Sequence, residues 1–240
     1  MQKKKIYRIA GIALFMVVTF TACMKDTNPQ FDIMGDVFVT KKMINDETQY
    51  APSYFVYGNL GMTSATVTLP NGGGTVDLDG TSGSLTYQKV PAELDYSTEM
   101  PDEGDYFFEA VSTKNETLQV SDELQLDDLA IPAIDSIVFI TTSTVQVYWN
   151  SVSGADGYFL KITDAGGEDV FLSYSLDANT TSYTIMDGSE STGNWKKTIE
   201  MGQMYTIQIN AFSYDADANQ NNNVYNIQEV AIGQSQLTWQ

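Results

Sequence analysis

From residue 37 onward almost no segment of the chain carries helical periodicity. Short alternating runs rich in Val, Ile, Thr, Tyr and Phe repeat instead, bounded by Gly, Asn, Asp and Ser. Val37-Phe38-Val39 and Tyr54-Phe55-Val56-Tyr57 predict the first strands. Ala65 to Leu69 follows, and Asn71-Gly72-Gly73-Gly74 predicts a tight turn, because Gly and Asn reach positive φ at little cost. Thr75 to Leu78 returns as the partner strand. Ser84 to Lys89, Tyr106 to Val111 and Thr117 to Val120 complete the set. Roughly seven strands across residues 37–130, with turns every 8–12 residues, predict an antiparallel β-sandwich. No amphipathic helices separate the strands, which excludes a parallel α/β fold. The acid-rich stretch Asp122 to Asp128 leads into Ala130-Ile131-Pro132-Ala133, where the Pro predicts a domain boundary.

The second half carries a denser pattern. Val145-Gln146-Val147-Tyr148-Trp149 alternates and ends in Trp, followed by Gly154-Ala155-Asp156-Gly157 and Tyr158-Phe159-Leu160-Lys161-Ile162. Thr181 to Ile185 comes next, then Gly202-Gln203-Met204-Tyr205-Thr206-Ile207-Gln208-Ile209-Asn210-Ala211. Five motifs in this order resemble a fibronectin type III domain. The resemblance implies a seven-strand sandwich with Trp149 in the core and Tyr205 as a tyrosine corner whose hydroxyl bonds upstream backbone. Two departures stand out: the segment Met186 to Met201, with Trp195 inside it, is an insertion, and the family's integrin-binding tripeptide is absent. In the first half, Gly104-Asp105-Tyr106-Phe107-Phe108-Glu109-Ala110 echoes one strand of the same pattern and resembles an Ig-like domain. The expected fold class is all-β, with two tandem antiparallel β-sandwiches: Ig-like over 37–130 and fibronectin type III-like over 131–240.

The first 22 residues read as an export signal. Lys3 to Arg8 are basic, and Ile9 to Thr21 form an apolar run too short to span a bilayer, which takes roughly 20 residues. Phe20-Thr21-Ala22-Cys23 resembles a bacterial lipobox, with Phe20 in place of the usual Leu. The resemblance implies that Cys23, the chain's one Cys, becomes the lipidated first residue of the mature protein, with 23–36 as its tether. Met24-Lys25-Asp26 and Asp135-Ser136-Ile137 resemble a surface-export signal and an O-glycosylation acceptor of the Bacteroidetes, the latter placing the sugar on Ser136. The expected location is the cell outer membrane, lipid-anchored and facing outward.

Charge narrows the chemistry. The chain has 12 Lys and Arg against 31 Asp and Glu, no His, and a formal charge of −19. Cleavage before Cys23 removes four cations and leaves 8 Lys minus 31 acids, or −23. With so few cations and no Arg the mature chain cannot neutralise a phosphate backbone, so nucleic acid is excluded as a partner. Without His there is no Ser-His-Asp triad and no imidazole metal site. Carboxylate-pair glycoside hydrolysis is the one catalysis the composition readily supports. Two small sandwiches offer no deep cleft for it, however, and no catalytic residue is assigned.

Two sets of candidates remain. Asp215, Asp217 and Asn219 alternate oxygen ligands like the first half of a calcium loop, although Gln220 stands where that loop needs Gly; a polar hairpin explains the same residues. No other cofactor is expected. Trp195 in the insertion, with Tyr214 and Tyr225 flanking the Asn-rich hairpin, are the candidate ligand contacts, since loops carry function on sandwich scaffolds. Trp195 folded back as a cap on the core is the alternative. The expected function is that of a non-enzymatic binding module for a glycan or a surface protein. The competing expectation is a structural spacer or accessory subunit of an outer-membrane or fimbrial assembly.

Overall fold

Val37 and Val39 lie on one face of their strand and Asp36 and Phe38 on the other, and this alternation organises the whole molecule. The computed structural model describes residues 29–216 and 226–240. Within them the alternating runs form strands joined by turns and three short 3-10 turns, with no α-helix. Residues Asp32–Gln240 make one compact unit. The export segment 1–22, Cys23, Asp217, Asn219 and Tyr225 lie outside the described residues.

Strand β1 (Ile33–Ile44) begins four residues ahead of the predicted start, within the expected tether. It reverses at Asn45-Asp46, both at positive φ (52° and 64°) as a two-residue hairpin demands, into the 22-residue strand β2 (Glu47–Thr68). That strand changes partners along its length. Tyr54 to Tyr57 lie between β1 and β4 (Ser84–Lys89), whereas Thr66 to Thr68 lie between β3 (Thr75–Asp77) and β5 (Gly104–Ser112). Register shifts between Tyr57 and Ser64 separate the two stretches, and Gly61 there lets the backbone of Gly83 approach closely. The Phe108 ring of β5 packs onto Gly35 of β1, in space that any side chain there would occupy. β6 (Thr117–Leu124) pairs with β5 and completes this half. Its buried interior includes Val37, Val56, Met62, Val67, Phe108 and Leu124.

The second half is a sandwich of two antiparallel layers. β7 (Ile134–Thr141), β8 (Thr144–Trp149) and β12 (Ser182–Met186) form one. β9 (Gly157–Asp164), β10 (Asp169–Leu172), β14 (Met204–Tyr214) and β15 (Ile227–Thr238) form the other, with short β11 (Leu176–Asp177) and β13 (Asn194–Trp195) at its margin. Apart from the marginal β11 and β13, these layers hold seven strands, the number the fibronectin type III resemblance implies. Val145, Val147 and Ile185 meet Leu160, Ile162, Ile207 and Ile209 across the interior. Each such burial is worth about 1.5–3 kcal/mol. Trp149 is buried edge-on to Tyr158, 5.6 Å between centroids. The Tyr205 hydroxyl accepts the backbone N–H of Glu200 at 2.9 Å, the upstream bond of a tyrosine corner.

The two halves share a sheet. β15 pairs in parallel with β1, Val39–Lys42 alongside Glu229–Ile232, so one sheet runs β13-β10-β9-β14-β15-β1-β2-β5-β6. Backbone pairing of this kind leaves no mark in side-chain alternation, so the sequence pattern predicts two sandwiches without their common sheet. The junction also buries an ion pair. Lys41 Nζ lies 2.7 Å from Glu229 Oε1 with the side chains 4% and 2% exposed, and Glu229 Oε2 accepts the Leu129 N–H at 3.1 Å.

Candidate functional site

The outward face of the shared sheet carries large apolar side chains where strand alternation leads one to expect polar ones. Phe38 of β1 and Phe55 of β2 project there and stack at 5.7 Å, 9° between planes, and Tyr57 continues the row 6.1 Å from Phe55. Phe159 of β9 and Phe212 of β14 occupy the same face on the other side of the junction, 6.3 Å apart, with Tyr214 5.2 Å beyond. Between them lies a groove of about 470 Å³, floored by Thr40, Gln208, Asn210, Val230 and Ile232, and walled on one side by Val90, Pro91 and Tyr96. That volume lies within the range of small-ligand sites.

The polar groups of the groove are held in place by one another. Lys42 Nζ is 2.5 Å from Glu93 Oε2 and 4.1 Å above the Tyr96 ring, and Lys161 Nζ is 2.6 Å from Asp169. Burial, reinforced by the neighbouring Glu93, pushes the Tyr96 hydroxyl up to about 12, so it stays a neutral donor. Glu93 is the one carboxylate among the described lining residues, and Lys42 neutralises it. A pair of facing carboxylates, which glycoside hydrolysis requires, is not assembled there. A second cavity of about 400 Å³ lies between Asp164 and the Lys197–Tyr205 segment. Its lysine is bound to Asp164 and Glu168, and its tyrosine is committed to Glu200.

The residues singled out from sequence scatter. Trp195 pairs with Phe171, its ring 4.6 Å from the Phe171 ring, and its Nε1–H donates to the Ser189 carbonyl at 3.2 Å. It is half-buried against the core, as in the cap alternative. Through Phe171 and Ile162 it sits level with Ile207, whereas Tyr214 is seven residues further along β14, about 23 Å at the usual strand rise. The structure therefore does not bring Trp195 and Tyr214 together. Tyr214 does share the face of the groove. Ser136 is exposed on β7. Asp215 is buried at the end of β14, its N–H donating to Asn226 O at 3.0 Å. Asp36 lies near it: burial, with Asp122 and Asp215 adding repulsion, pushes the Asp36 carboxyl up to about 7. Among the described residues no three His, Cys, Asp or Glu side chains form a preassembled metal centre.

Sequence reasoning missed Phe38, Phe55, Tyr96 and Phe159. A signal existed for three of them, since Phe38, Phe55 and Phe159 each fall out of phase with the buried residues beside them.

No family model and no curated protein matches the chain. Among solved structures it is similar to a two-domain fibronectin type III segment of chicken tenascin, at 11% identity over 87% of this chain and 98% of that one, TM-score 0.30. A DUF3823 family protein from Bacteroides uniformis aligns at 8% identity over 86% and 100%, TM-score 0.34. A tetra-tandem repeat in the extending region of a large adhesion protein aligns at 15% over 85% and 49%, TM-score 0.27. These superpositions are loose, and the fold described above rests on the chain's own strand pairing.

Proposed function

We propose that this chain is a non-enzymatic binding module of the outer membrane, anchored through lipid on Cys23, whose ligand lies in the groove on the outer face of the shared sheet. The observation that carries the reading is the groove's make-up. Aromatic side chains from both halves flank a floor in which the Thr40 hydroxyl and the Gln208 and Asn210 amides lie beside Val230 and Ile232, and the groove's lysines are each paired with a carboxylate. Such a surface suits an extended ligand with apolar faces and many hydroxyls, which is the chemistry of a glycan chain. The lipobox resemblance supports the anchor. The lack of His and the single neutralised carboxylate in the groove support binding without catalysis.

The test is a glycan array followed by calorimetric titration with the purified chain. Phe38→Ala and Phe55→Ala are each expected to weaken a captured glycan at least about tenfold, the effect of losing one stacked contact of about 1.4 kcal/mol. Trp195→Phe is expected to leave binding unchanged. Equal binding by the parent and both Phe variants would sink the reading.

A second reading, an assembly subunit, is favoured by the outer face of β7, β8 and β12. There Val138, Ile140, Tyr148 and Met186 are exposed on the sheet, interspersed with Gln146 and Thr184. Gentle detergent extraction should then recover a stoichiometric partner that is lost on Ile140→Lys.

A further inference from the structure

A cavity of about 250 Å³ lies on the inner side of β2, across that strand from the groove. Tyr50, Pro52 and Tyr54 line it at alternate positions, while Ser53 and Phe55 line the groove. The Tyr106 ring of β5 lies 5.9 Å from that of Tyr54 and completes an aromatic wall. The segment from Asp95 to Asp102 contributes the rest of the lining and is pinned at two places. Tyr50 and Ser97 exchange backbone hydrogen bonds of 2.7 and 3.1 Å, and the Tyr106 hydroxyl donates to the Asp102 carbonyl at 2.7 Å. The cavity is therefore shaped in advance of any occupant.

Its chemistry is one-sided. Asp95, Glu99 and Asp102 line it, and among the described lining residues there is no cationic side chain. Asp95 Oδ2 accepts the Ala92 N–H at 2.7 Å, whereas the Glu99 and Asp102 carboxylates accept no hydrogen bond from the described residues. Tyr54 is 6% exposed, and none of the described residues hydrogen-bonds its hydroxyl, which opens onto the cavity. A buried phenol ordinarily finds a partner. Burial, with Tyr106 beside it, pushes the Tyr54 hydroxyl up, so it is a neutral phenol with lone pairs to offer.

We propose that this cavity binds the ammonium end of a primary alkylamine, the group carried by a lysine side chain or by a free amine. Tyrosine rings attract a cation through their quadrupole, and carboxylates add charge-assisted hydrogen bonds. Leu69 and Met100, also in the lining, offer apolar surface to the methylene stem. The molecule fills one such arrangement from within: Lys42 sits over the Tyr96 ring and is bound to Glu93. The cavity repeats that pairing of phenol ring and carboxylate without a lysine of its own. Its acceptor oxygens select a primary ammonium over a quaternary one, which has no N–H to donate. The volume lies below the roughly 300–1,000 Å³ of drug-sized sites, so the site takes one side-chain-sized group.

The experiment is an NMR titration of the purified chain, following amide and tyrosine-ring signals, with Nα-acetyl-lysine methylamide and butylamine as the two probes. Saturable shifts are expected at residues 50–54 and 95–106. The Nε-acetylated lysine probe has lost its charge and should cause none. The Nε-trimethylated probe should bind at least about tenfold more weakly, because it cannot make the charge-assisted hydrogen bonds. Asp102→Asn and Tyr54→Phe should each weaken binding at least about threefold, with the rest of the spectrum unchanged as a check on folding. Tighter binding of the lysine probe assigns the amine to a protein, and equal binding of the two assigns it to free amines; both support the site. No saturable shift with either probe, equal binding of the acetylated probe, or full affinity in both variants overturns it.

Discussion

The two halves of this molecule solve one packing problem in different ways. Residues from β7 onward use two separate layers, each strand belonging to one, and their core joins Trp149, Tyr158, Phe171 and Trp239 into a single cluster. The half from β1 to β6 instead threads the strand β2 through both of its layers, bending it where the register slips. A strand confined to one layer buries every second residue, so its sequence alternates cleanly. A strand that crosses between layers must change which face is inside, and its burial pattern becomes irregular around Gly58 to Gly61. The difference teaches that the clarity of a sequence motif measures how simply a strand is used, not how well the region is packed.

The largest test of that view compares core truncations. Phe108→Ala in the first half and Trp149→Ala in the second should each cost about 3–5 kcal/mol by urea unfolding. Both should move a single transition, because the shared sheet couples the halves. Two separate transitions would show that the halves are independent. Next comes the buried junction. Lys41→Met should cost about 3 kcal/mol, the low end for an orphaned buried charge, since the Leu129 N–H still donates to Glu229. Lys41→Met combined with Glu229→Gln should recover part of that loss in the same assay, because the amide removes the orphaned charge while its oxygen still accepts the Leu129 N–H.

Asp36 sharpens the comparison through pH. Its folded value of about 7 stands above the ordinary 3.8, so the folded state holds the proton more tightly than the unfolded chain does. The resulting penalty is absent below about pH 4, grows between 4 and 7, and is complete above 7. Asp36→Asn should therefore stabilise the chain at pH 8 and change little at pH 4. Three pKa units correspond to about 4 kcal/mol, and partial exposure of the side chain reduces the expected gain to about 2 kcal/mol. The smallest effect belongs to the second half's own motif. Tyr205→Phe removes the acceptor for the Glu200 N–H and should cost about 1 kcal/mol in thermal unfolding.

Trp149 and Tyr205 were legible because each does locally what its surroundings in sequence announce. The strand set was legible for the same reason. The shared sheet was not, because the β1–β15 ladder is made of backbone groups that every residue carries. The groove was half legible: Phe38 and Phe159 fall on the outward phase, yet nothing local reveals that they flank a common space. Trp195 misled for a different reason. Polar neighbours in an inserted segment predict exposure, but the 3-10 turn Glu190–Thr192 brings the chain back so that the indole lies on Phe171.

The parallel pairing of the first and last strands also determines how the fold meets a pulling force. A load entering at Ile33 runs along the axis of β1, which is bonded to β2 through twelve consecutive residue pairs and to β15 through four. Tension in that direction acts on the two ladders in shear, so their hydrogen bonds share it at once instead of opening one after another. A molecule tethered at its start and gripped at its sheet face would then resist extension through β1, and the buried Lys41–Glu229 pair, beside that strand's far end, would be the last bolt to slip.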